Sequence, residues 1–298
     1  MAIAAQPLSP ARVWWSAVRP ATLAASVAPV LAGTAIAIHD GGARWAAGLA
    51  ALVVAVGIQL GVNFANDYSD FVRGADTHRV GPVRAASSGI VQPEHVRWAA
   101  IAAFGVAGVV GLALSLAIDP RLLIAGAGCL LAGWLYTGGP RPYGYLGLGE
   151  VFVFVFFGLV ATIGTVYVET SQVTRMSLLM GCGMGFLATG ILVLNNLRDI
   201  EIDAAAGKRT LATRIGRERT RLLLLVLVCA AFVVPIVLFV TGIAPVTVML
   251  VHFAIPIAAA PVRTAFASTA APALVGALKR MAAAQLAYAL LFALGVLL

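Results

Sequence analysis

The chain has 298 residues, of which 61% are hydrophobic and only 11% are charged, and its mean hydropathy is +0.98. A soluble domain carries about 25% charged residues, so this chain cannot cover a globule with polar surface, and lipid must be its main solvent. That excludes a soluble enzyme, a disordered tail and a disulfide scaffold. The 20 Lys and Arg residues still exceed the 12 Asp and Glu residues, which suits nucleic acid, a membrane surface or a phosphate-bearing ligand.

Hydrophobic runs of about 17 residues or more predict an all-α, polytopic membrane protein with nine transmembrane helices. We expect them in a single integral-membrane domain over residues 1–298. The predicted spans cover about 21–38, 45–66, 98–118, 121–137, 148–168, 175–197, 221–240, 243–265 and 280–298.

Basic residues are distributed unevenly between the two ends of these helices. The N-terminus and the loops on its side hold 17 of the 20 Lys and Arg residues, whereas the other side holds only Arg44, Arg121 and Arg175. The positive-inside rule therefore predicts a protein of the inner (plasma) membrane with a cytoplasmic N-terminus and, after nine spans, an external C-terminus. The whole surplus of +8 then lies on the inner side. That side also has two long loops, near 67–97 and 198–220, where function is expected.

The second predicted span ends in a polar stripe that enters the membrane from its inner end. Helical spacing places the members near one face. They are Gln59, Asn63, Asp67 and Asp70, with Asn66 beside them. Gly74 is expected to end this helix, which leaves Asp76 in the following loop.

The sixth span ends in a matching stripe of Asn195, Asp199 and Asp203. Both stripes lie at the inner ends of helices that run in the same direction. This suggests two parallel four-helix-like halves, about 15–137 and 148–265, followed by a last helix.

Two sets of carboxylates facing each other over a cavity would repel unless cations lay between them. Mg²⁺ suits this position, because it takes one or two carboxylates and fills its shell with waters and substrate phosphates. Nearby basic side chains would complete a diphosphate site. They are Arg73, Arg79, Arg84, Arg141, Lys208 and Arg209. The alternative is that the acids cap helices or pair with neighbouring Arg residues at the membrane interface.

These motifs resemble the sequence motifs of a known protein family. Asn66-Asp67-x-x-Asp70 with Asp76, followed by Asp199-x-x-x-Asp203, resembles the paired aspartate motifs of the UbiA superfamily of intramembrane prenyltransferases. Further stretches resemble its 1,4-dihydroxy-2-naphthoate polyprenyltransferase (MenA-type) branch of menaquinone biosynthesis. They are Arg19-Pro20-x-Thr22-Leu23, Tyr136 to Pro140 with Tyr143-Gly144, Leu148-Gly149-Glu150, and Asn195 to Gly216. Asp76 follows Asp70 by six residues rather than the four of the general motif, in agreement with the naphthoate branch.

The resemblance implies a helical bundle around a central cavity that opens to the cytoplasm. It implies Mg²⁺-dependent transfer of a polyprenyl group from polyprenyl diphosphate to 1,4-dihydroxy-2-naphthoate, with loss of CO₂ and diphosphate, giving demethylmenaquinone. The expected metal ligands are Asp67, Asp70, Asp76, Asp199 and Asp203. The expected substrate-binding residues are Arg19, Asn63, Asn66, Arg73, Arg84, Arg141, Asn195, Lys208 and Arg209.

Four further residues have two interpretations each. Tyr136 and Tyr143 offer π faces to an allylic cation, or belong to an interfacial aromatic belt. Glu150 orients or deprotonates an acceptor hydroxyl, or is favoured at a helix N-terminus by the helix dipole. Arg19 binds the acceptor carboxylate, or extends to lipid headgroups.

Two other functions stay open at the level of sequence. Another acceptor, such as 4-hydroxybenzoate, would use the same metal motifs. A membrane transporter is disfavoured because transporters place ionisable residues near the bilayer midplane, whereas these acids lie at one face. Nucleic acid is not expected as a partner, since the chain has no reading module. The glycines around Gly181, Gly183 and Gly185 predict close helix packing.

Overall fold

The computed structural model describes residues 9–74, 84–139 and 142–298. Over these ranges the chain forms helices and short turns, and no strands, as the hydrophobic runs predict. The α-helices are α1 (Pro10–Val18), α2 (Pro20–His39), α3 (Trp45–Val72), α4 (Pro93–Ala117), α5 (Leu122–Leu135), α6 (Gly149–Val153), α7 (Ala161–Thr170), α8 (Arg175–Ala205), α9 (Leu211–Val240), α10 (Ile255–Ala267) and α11 (Ala271–Leu297). Three tighter or wider helical segments are Tyr143–Leu146 and Val246–Ala254 (both 3₁₀) and Phe154–Val160 (π).

Eight helices of the described chain are long and apolar enough to cross a membrane. Two of them are composite: Gly149–Thr170 joins α6, the π segment and α7, and Val246–Ala267 contains α10. The predicted fourth span is the exception, because α5 has only 14 residues. At 1.5 Å per residue it is about 21 Å long, shorter than a hydrocarbon core of about 30 Å. The protein is therefore a multi-pass membrane protein, but the count of nine spans is not confirmed.

The helices differ in how deeply they are buried. The main hydrophobic core joins α2, α8, α9 and α11 around side chains such as Met184 and Phe292. In contrast, α4 and α5 present large apolar side chains outward, and Leu116 and Ile124 are 71% and 79% exposed. Exposed apolar side chains on spanning helices are suited to lipid.

Glycine allows the π segment to pack directly on α8. A Cβ atom added at Gly158 would lie 2.3 Å from Gly185 Cα and 2.7 Å from the carbonyl oxygen of Gly181, so only hydrogen fits. The predicted close packing of the glycines around Gly181 and Gly185 is thus confirmed. Because π segments in helices are frequent at functional sites, the side chains of Phe154–Val160 are candidates for a functional role.

The two helices that carry the acidic motifs are longer than a membrane span needs. Helix α3 has 28 residues and α8 has 31, which at 1.5 Å per residue is more than a bilayer core of about 30 Å requires. Gly74 adopts a left-handed conformation (φ 68°) and its N–H donates to the carbonyl of Phe71. The prediction that Gly74 ends the helix is therefore confirmed. The two parallel halves stay a prediction.

Candidate active site

A polar cavity of about 70 Å³ lies between the C-terminal ends of α3 and α8. It contains residues of both acidic motifs, so the structure brings together side chains that are about 130 residues apart in the chain. The described residues that line it are Arg19, Asn66, Asp70, Arg84, Tyr136, Thr137, Gly144, Tyr145, Asn195, Asn196, Asp199, Ile202, Asp203, Lys208 and Thr210.

A larger, mainly apolar cavity of about 270 Å³ adjoins it. Its walls come from α2, α3, α5, the span Gly149–Thr170 and α8. Four residues line both cavities: Arg19, Asn66, Tyr136 and Asn195. The apolar cavity reaches from these residues to Leu122, and 14 residues of α5 separate Tyr136 from Leu122, a rise of about 21 Å. The site can therefore accept an anionic head group joined to a long apolar chain.

Asp70 connects three residues of the polar cavity. Its carboxylate accepts hydrogen bonds from Arg84 (2.8 Å), Lys208 (2.9 Å) and the Tyr145 hydroxyl (2.9 Å). Burial alone would lower the pKa of Lys208, but Asp70 and its neighbours more than offset this, and the pKa of the ammonium is raised. Lys208 therefore stays positively charged, as a diphosphate ligand must.

Asp199 contributes the second carboxylate. It is 7% exposed and pairs with Arg198, whose Nε lies 2.6 Å from Asp199 Oδ1. Arg198 also donates to Asn195 Oδ1 at 2.8 Å. Asp203, one helical turn further along α8, lines the same cavity. The predicted stripe of Asn195, Asp199 and Asp203 thus faces the site.

Asn66 offers a further side-chain oxygen to the polar cavity. Its Oδ1 atom is buried and accepts no hydrogen bond from the described chain. Amide and carboxylate oxygens are ligands of hard divalent cations. Nowhere in the described ranges do three His, Cys, Asp or Glu side chains converge to hold a metal by themselves. Since Mg²⁺ takes only one or two carboxylates with waters and phosphates, the residues fit a magnesium–diphosphate pair.

Asp67 has a different environment from its neighbour Asn66. It is fully buried, and its carboxylate accepts hydrogen bonds from the backbone N–H groups of Ala85 (2.9 Å) and Ala86 (3.2 Å). It is not among the residues that line either cavity. Of the predicted metal ligands in the first motif, Asp70 faces the polar cavity, and Asp67 points toward Ala85 and Ala86. Asp76 lies outside the described residues.

Two of the predicted basic ligands lie next to Tyr145 rather than in the cavity lining. Arg73 is exposed, donates to the carbonyl of Gly139 at 2.7 Å, and lies 5.2 Å from the Tyr145 ring centroid. Arg209 is exposed and its backbone N–H donates to the Tyr145 carbonyl. Arg79 and Arg141 lie outside the described residues. Of the bases predicted for the diphosphate site, Arg84 and Lys208 are the two in the described ranges that line the polar cavity, together with Arg19.

Arg19 lies at the junction of the two cavities because of the turn between α1 and α2. It adopts a left-handed conformation (φ 51°), which is uncommon for a residue other than glycine. Asn63 secures the turn, since its amide donates to the Val18 carbonyl (2.9 Å) and to Thr22 Oγ1 (3.0 Å). Gln59 donates to Asn63 Oδ1 at 3.0 Å. Asn63 thus lines the apolar cavity and also positions Arg19 through the backbone.

Aromatic rings follow one wall of the apolar cavity. Tyr136 and Tyr143 meet edge to face at 5.5 Å, Tyr143 stacks on Phe152 at 3.9 Å, and Phe152 is followed by Phe156 at 5.9 Å. All four rings line the cavity, and Phe156 belongs to the π segment. We call these four residues the aromatic ladder. It begins at the junction with the polar cavity and leads away from it.

Glu150 lies behind the site. It is 7% exposed, and its Oε1 accepts a hydrogen bond from the Asn196 amide at 2.9 Å. Asn196 lines the polar cavity, whereas Glu150 lines neither cavity. The geometry therefore favours a role for Glu150 in holding Asn196 in place rather than direct contact with an acceptor.

Sequence reasoning assigned no role to several residues of the site. Tyr145 contacts Asp70, and Arg198 pairs with Asp199. Arg198 belongs to a stretch that resembles the family and Tyr145 directly follows another, but spacing alone gave them no function. Phe152 and Phe156 follow Tyr143 in an apolar run, where only the helix geometry shows that they share a wall.

The amino-acid sequence is similar to that of a known protein family and of named relatives. A model of the UbiA prenyltransferase family matches residues 26–281. A 1,4-dihydroxy-2-naphthoate octaprenyltransferase from Mycobacterium leprae (strain TN) is 48% identical over 227 residues, 76% of this chain and 77% of the relative. A protein of the same name from Escherichia coli (strain K12) is 37% identical over 238 residues, again 76% and 77% of the two chains.

The fold is shared with a solved structure. A UbiA homolog from Archaeoglobus fulgidus, bound to GPP and Mg²⁺, superposes with a TM-score of 0.62 over 94% of this chain and 99% of that chain, at 15% sequence identity. The family model covers most of the chain, and the relatives extend over three quarters of it. The protein belongs to the UbiA prenyltransferase family.

Proposed function

We propose that the protein transfers a polyprenyl group from polyprenyl diphosphate to 1,4-dihydroxy-2-naphthoate, with release of diphosphate and CO₂, to give demethylmenaquinol, the two-electron-reduced form of demethylmenaquinone. The observation that carries this proposal is the junction of a charged cavity with a long apolar one, across which Arg19, Asn66, Tyr136 and Asn195 line both. The names of the relatives at 48% and 37% identity support the naphthoate acceptor.

The polar cavity is suited to hold the diphosphate. Asn66, Asp70, Asp199 and Asp203 would hold Mg²⁺, with no more than one or two carboxylates bound directly to an ion and the others acting through water. When bound, Mg²⁺ neutralises charge that develops on the departing diphosphate. Arg84 and Lys208 offer cationic donors to phosphate oxygens, and both now contact Asp70 at 2.8–2.9 Å. Donors already directed at the developing charge lower the barrier to breaking the carbon–oxygen bond.

The junction is where the new bond would form. The carbon–oxygen bond of the allylic diphosphate breaks and the electron pair leaves with the diphosphate. A carbon of the naphthoate ring then bonds to the allylic cation, and the carboxylate departs as CO₂ while the ring recovers its electrons. Tyr136 presents its ring there, and a π face stabilises a nearby cation. Arg19, which lines both cavities, would pair with the acceptor carboxylate.

The charge asymmetry supports an orientation in which the N-terminus and the polar cavity face the cytoplasm of an inner (plasma) membrane, because loops rich in Lys and Arg stay on that side. A transporter is not supported: the family is one of prenyltransferases, and the described acids of the site lie at helix ends.

The test is an assay of the purified protein with Mg²⁺ and a polyprenyl diphosphate, with either dihydroxynaphthoate or 4-hydroxybenzoate as acceptor. We expect prenylated product and released CO₂ with dihydroxynaphthoate only, and loss of turnover with EDTA that added Mg²⁺ restores. Product from 4-hydroxybenzoate alone would assign another acceptor within the family, and no product from either would contradict the proposal.

The aromatic ladder should govern how the apolar chain binds. Phe156→Ala removes the ring farthest from the diphosphate, so only a chain long enough to reach it loses contact area. Burial of a Phe side chain is worth about 1.5–3 kcal/mol, so we expect KM to rise about tenfold for octaprenyl diphosphate and less than about twofold for geranyl diphosphate. Phe253→Ala, at a 72% exposed position, is the control. An equal rise in KM for both substrates would show that the aromatic ladder does not contact the far part of the prenyl chain.

A further inference from the structure

We propose that Asp67 is a positioning residue, which fixes the segment 84–92 and through it places Arg84 over the diphosphate. This rests on the function proposed above. The motif Asn66-Asp67-x-x-Asp70 would then divide its tasks: Asn66 and Asp70 face the cavity, whereas Asp67 anchors the chain that returns over it.

The first support is the use of both Asp67 oxygens. Oδ2 accepts from Ala85 N–H at 2.9 Å and Oδ1 accepts from Ala86 N–H at 3.2 Å. Asp67 and Ala85 are fully buried, and Ala86 is 3% exposed. Buried backbone N–H groups need partners, and the Asp67 carboxylate is the partner of both Ala85 and Ala86 in this segment. If Asp67 instead turned toward a metal ion, it would leave two buried donors without these acceptors, which is costly.

The second support is how the segment packs. Ala85, Ala86 and Val91 join a small hydrophobic cluster with Val13 of α1 and Phe64 of α3. Ser88 then closes the turn, because its hydroxyl donates to the Ala85 carbonyl at 2.7 Å. The segment is thus held from one side by apolar contacts and from the other by Asp67.

The third support is the place of Arg84. It directly precedes Ala85, is 8% exposed, lines the polar cavity and pairs with Asp70 at 2.8 Å. A guanidinium grips phosphate through a rigid, planar set of donors, so its usefulness depends on where the backbone places it. Fixing Ala85 and Ala86 fixes the origin of the Arg84 side chain.

Amide hydrogen exchange on the full-length protein in detergent, without Mg²⁺ or substrate, tests the anchoring directly. Asp67→Ala should raise the exchange rate of peptides that contain Ala85 and Ala86 by about tenfold or more, since both amides lose an acceptor. Asp67→Asn, which keeps one acceptor oxygen and the side-chain size, should raise it by a smaller factor and covers the case in which the alanine variant does not fold. Asp40→Asn, at an exposed position at the far end of α2, is the matched control and should leave these peptides unchanged. Unchanged exchange in the Asp67 variants would overturn the proposal.

Kinetics then separate positioning from metal binding. Asp67→Asn should raise KM for polyprenyl diphosphate about tenfold and keep the half-saturating Mg²⁺ concentration within about twofold of the wild type, whereas Asp70→Asn should raise the Mg²⁺ requirement. In an Arg84→Gln background, Asp67→Asn should add less than about twofold to KM, because both changes remove the same contact. A raised Mg²⁺ requirement, or KM effects that multiply, would identify Asp67 as acting on its own. A wild-type protein that does not use dihydroxynaphthoate would contradict the proposed function only, and the exchange comparison would still decide the role of Asp67.

Discussion

Asp70→Asn is expected to lower kcat by about a thousandfold, the scale of losing one element of preorganised charge stabilisation in an active site. Asp70 lies where the predicted metal and both cavity bases meet, since Arg84 and Lys208 each contact it within 3 Å. Because those two bases remain, KM for polyprenyl diphosphate should change far less than kcat. Initial rates over a range of polyprenyl diphosphate concentrations, at saturating Mg²⁺, measure both quantities.

A chemically matched substitution at a distant position controls for this experiment. Asp40, exposed at the far end of α2, can also be changed to Asn, and we expect wild-type rates from that variant. Thermal denaturation in detergent should show that both variants remain folded at the assay temperature. If Asp70→Asn retained more than a tenth of wild-type kcat, Asp70 would not belong to the metal site.

Gly158→Ala is expected to give the largest loss of stability. The added Cβ atom would lie 2.3 Å from Gly185 Cα and 2.6 Å from Gly185 N, and backbone atoms cannot move aside as a flexible side chain can. Overpacking of this kind costs about 3 kcal/mol. The π segment would have to separate from α8, which would displace Phe156 and widen the apolar cavity. Thermal denaturation of purified protein in detergent measures the effect, and we expect a clearly lowered midpoint.

Gly276→Ala is the control for that substitution. Gly276 lies inside α11, and no atom of the described chain comes within 4 Å of the added Cβ. Alanine is favoured over glycine inside a helix by about 0.5–1 kcal/mol, so this variant should match or slightly exceed the wild type in stability. An unchanged midpoint for Gly158→Ala would mean that the two helices can move apart without cost.

Much of the architecture was accessible from sequence, because the properties concerned are local. Hydropathy over a span decides whether lipid can surround it, and this predicted the helical membrane protein. Helical periodicity placed Asn195, Asp199 and Asp203 on one face, which the cavity lining confirms. Gly74 marked the end of α3 because its missing side chain permits a positive φ. The paired acidic motifs, with their characteristic spacing, were specific enough to indicate the family.

The tertiary structure decided what depends on the rotation, length and packing of whole helices. Asn66, Asp67 and Asp70 are close in sequence, yet only the packing of 84–92 on α3 shows that Asp67 faces Ala85 and Ala86 while the other two face the cavity. Glu150 lies behind Asn196 for the same reason. The sequence motif is the same whichever way each of these side chains points. The direction is fixed by which buried donors and acceptors from distant segments need a partner, and a single sequence does not reveal that.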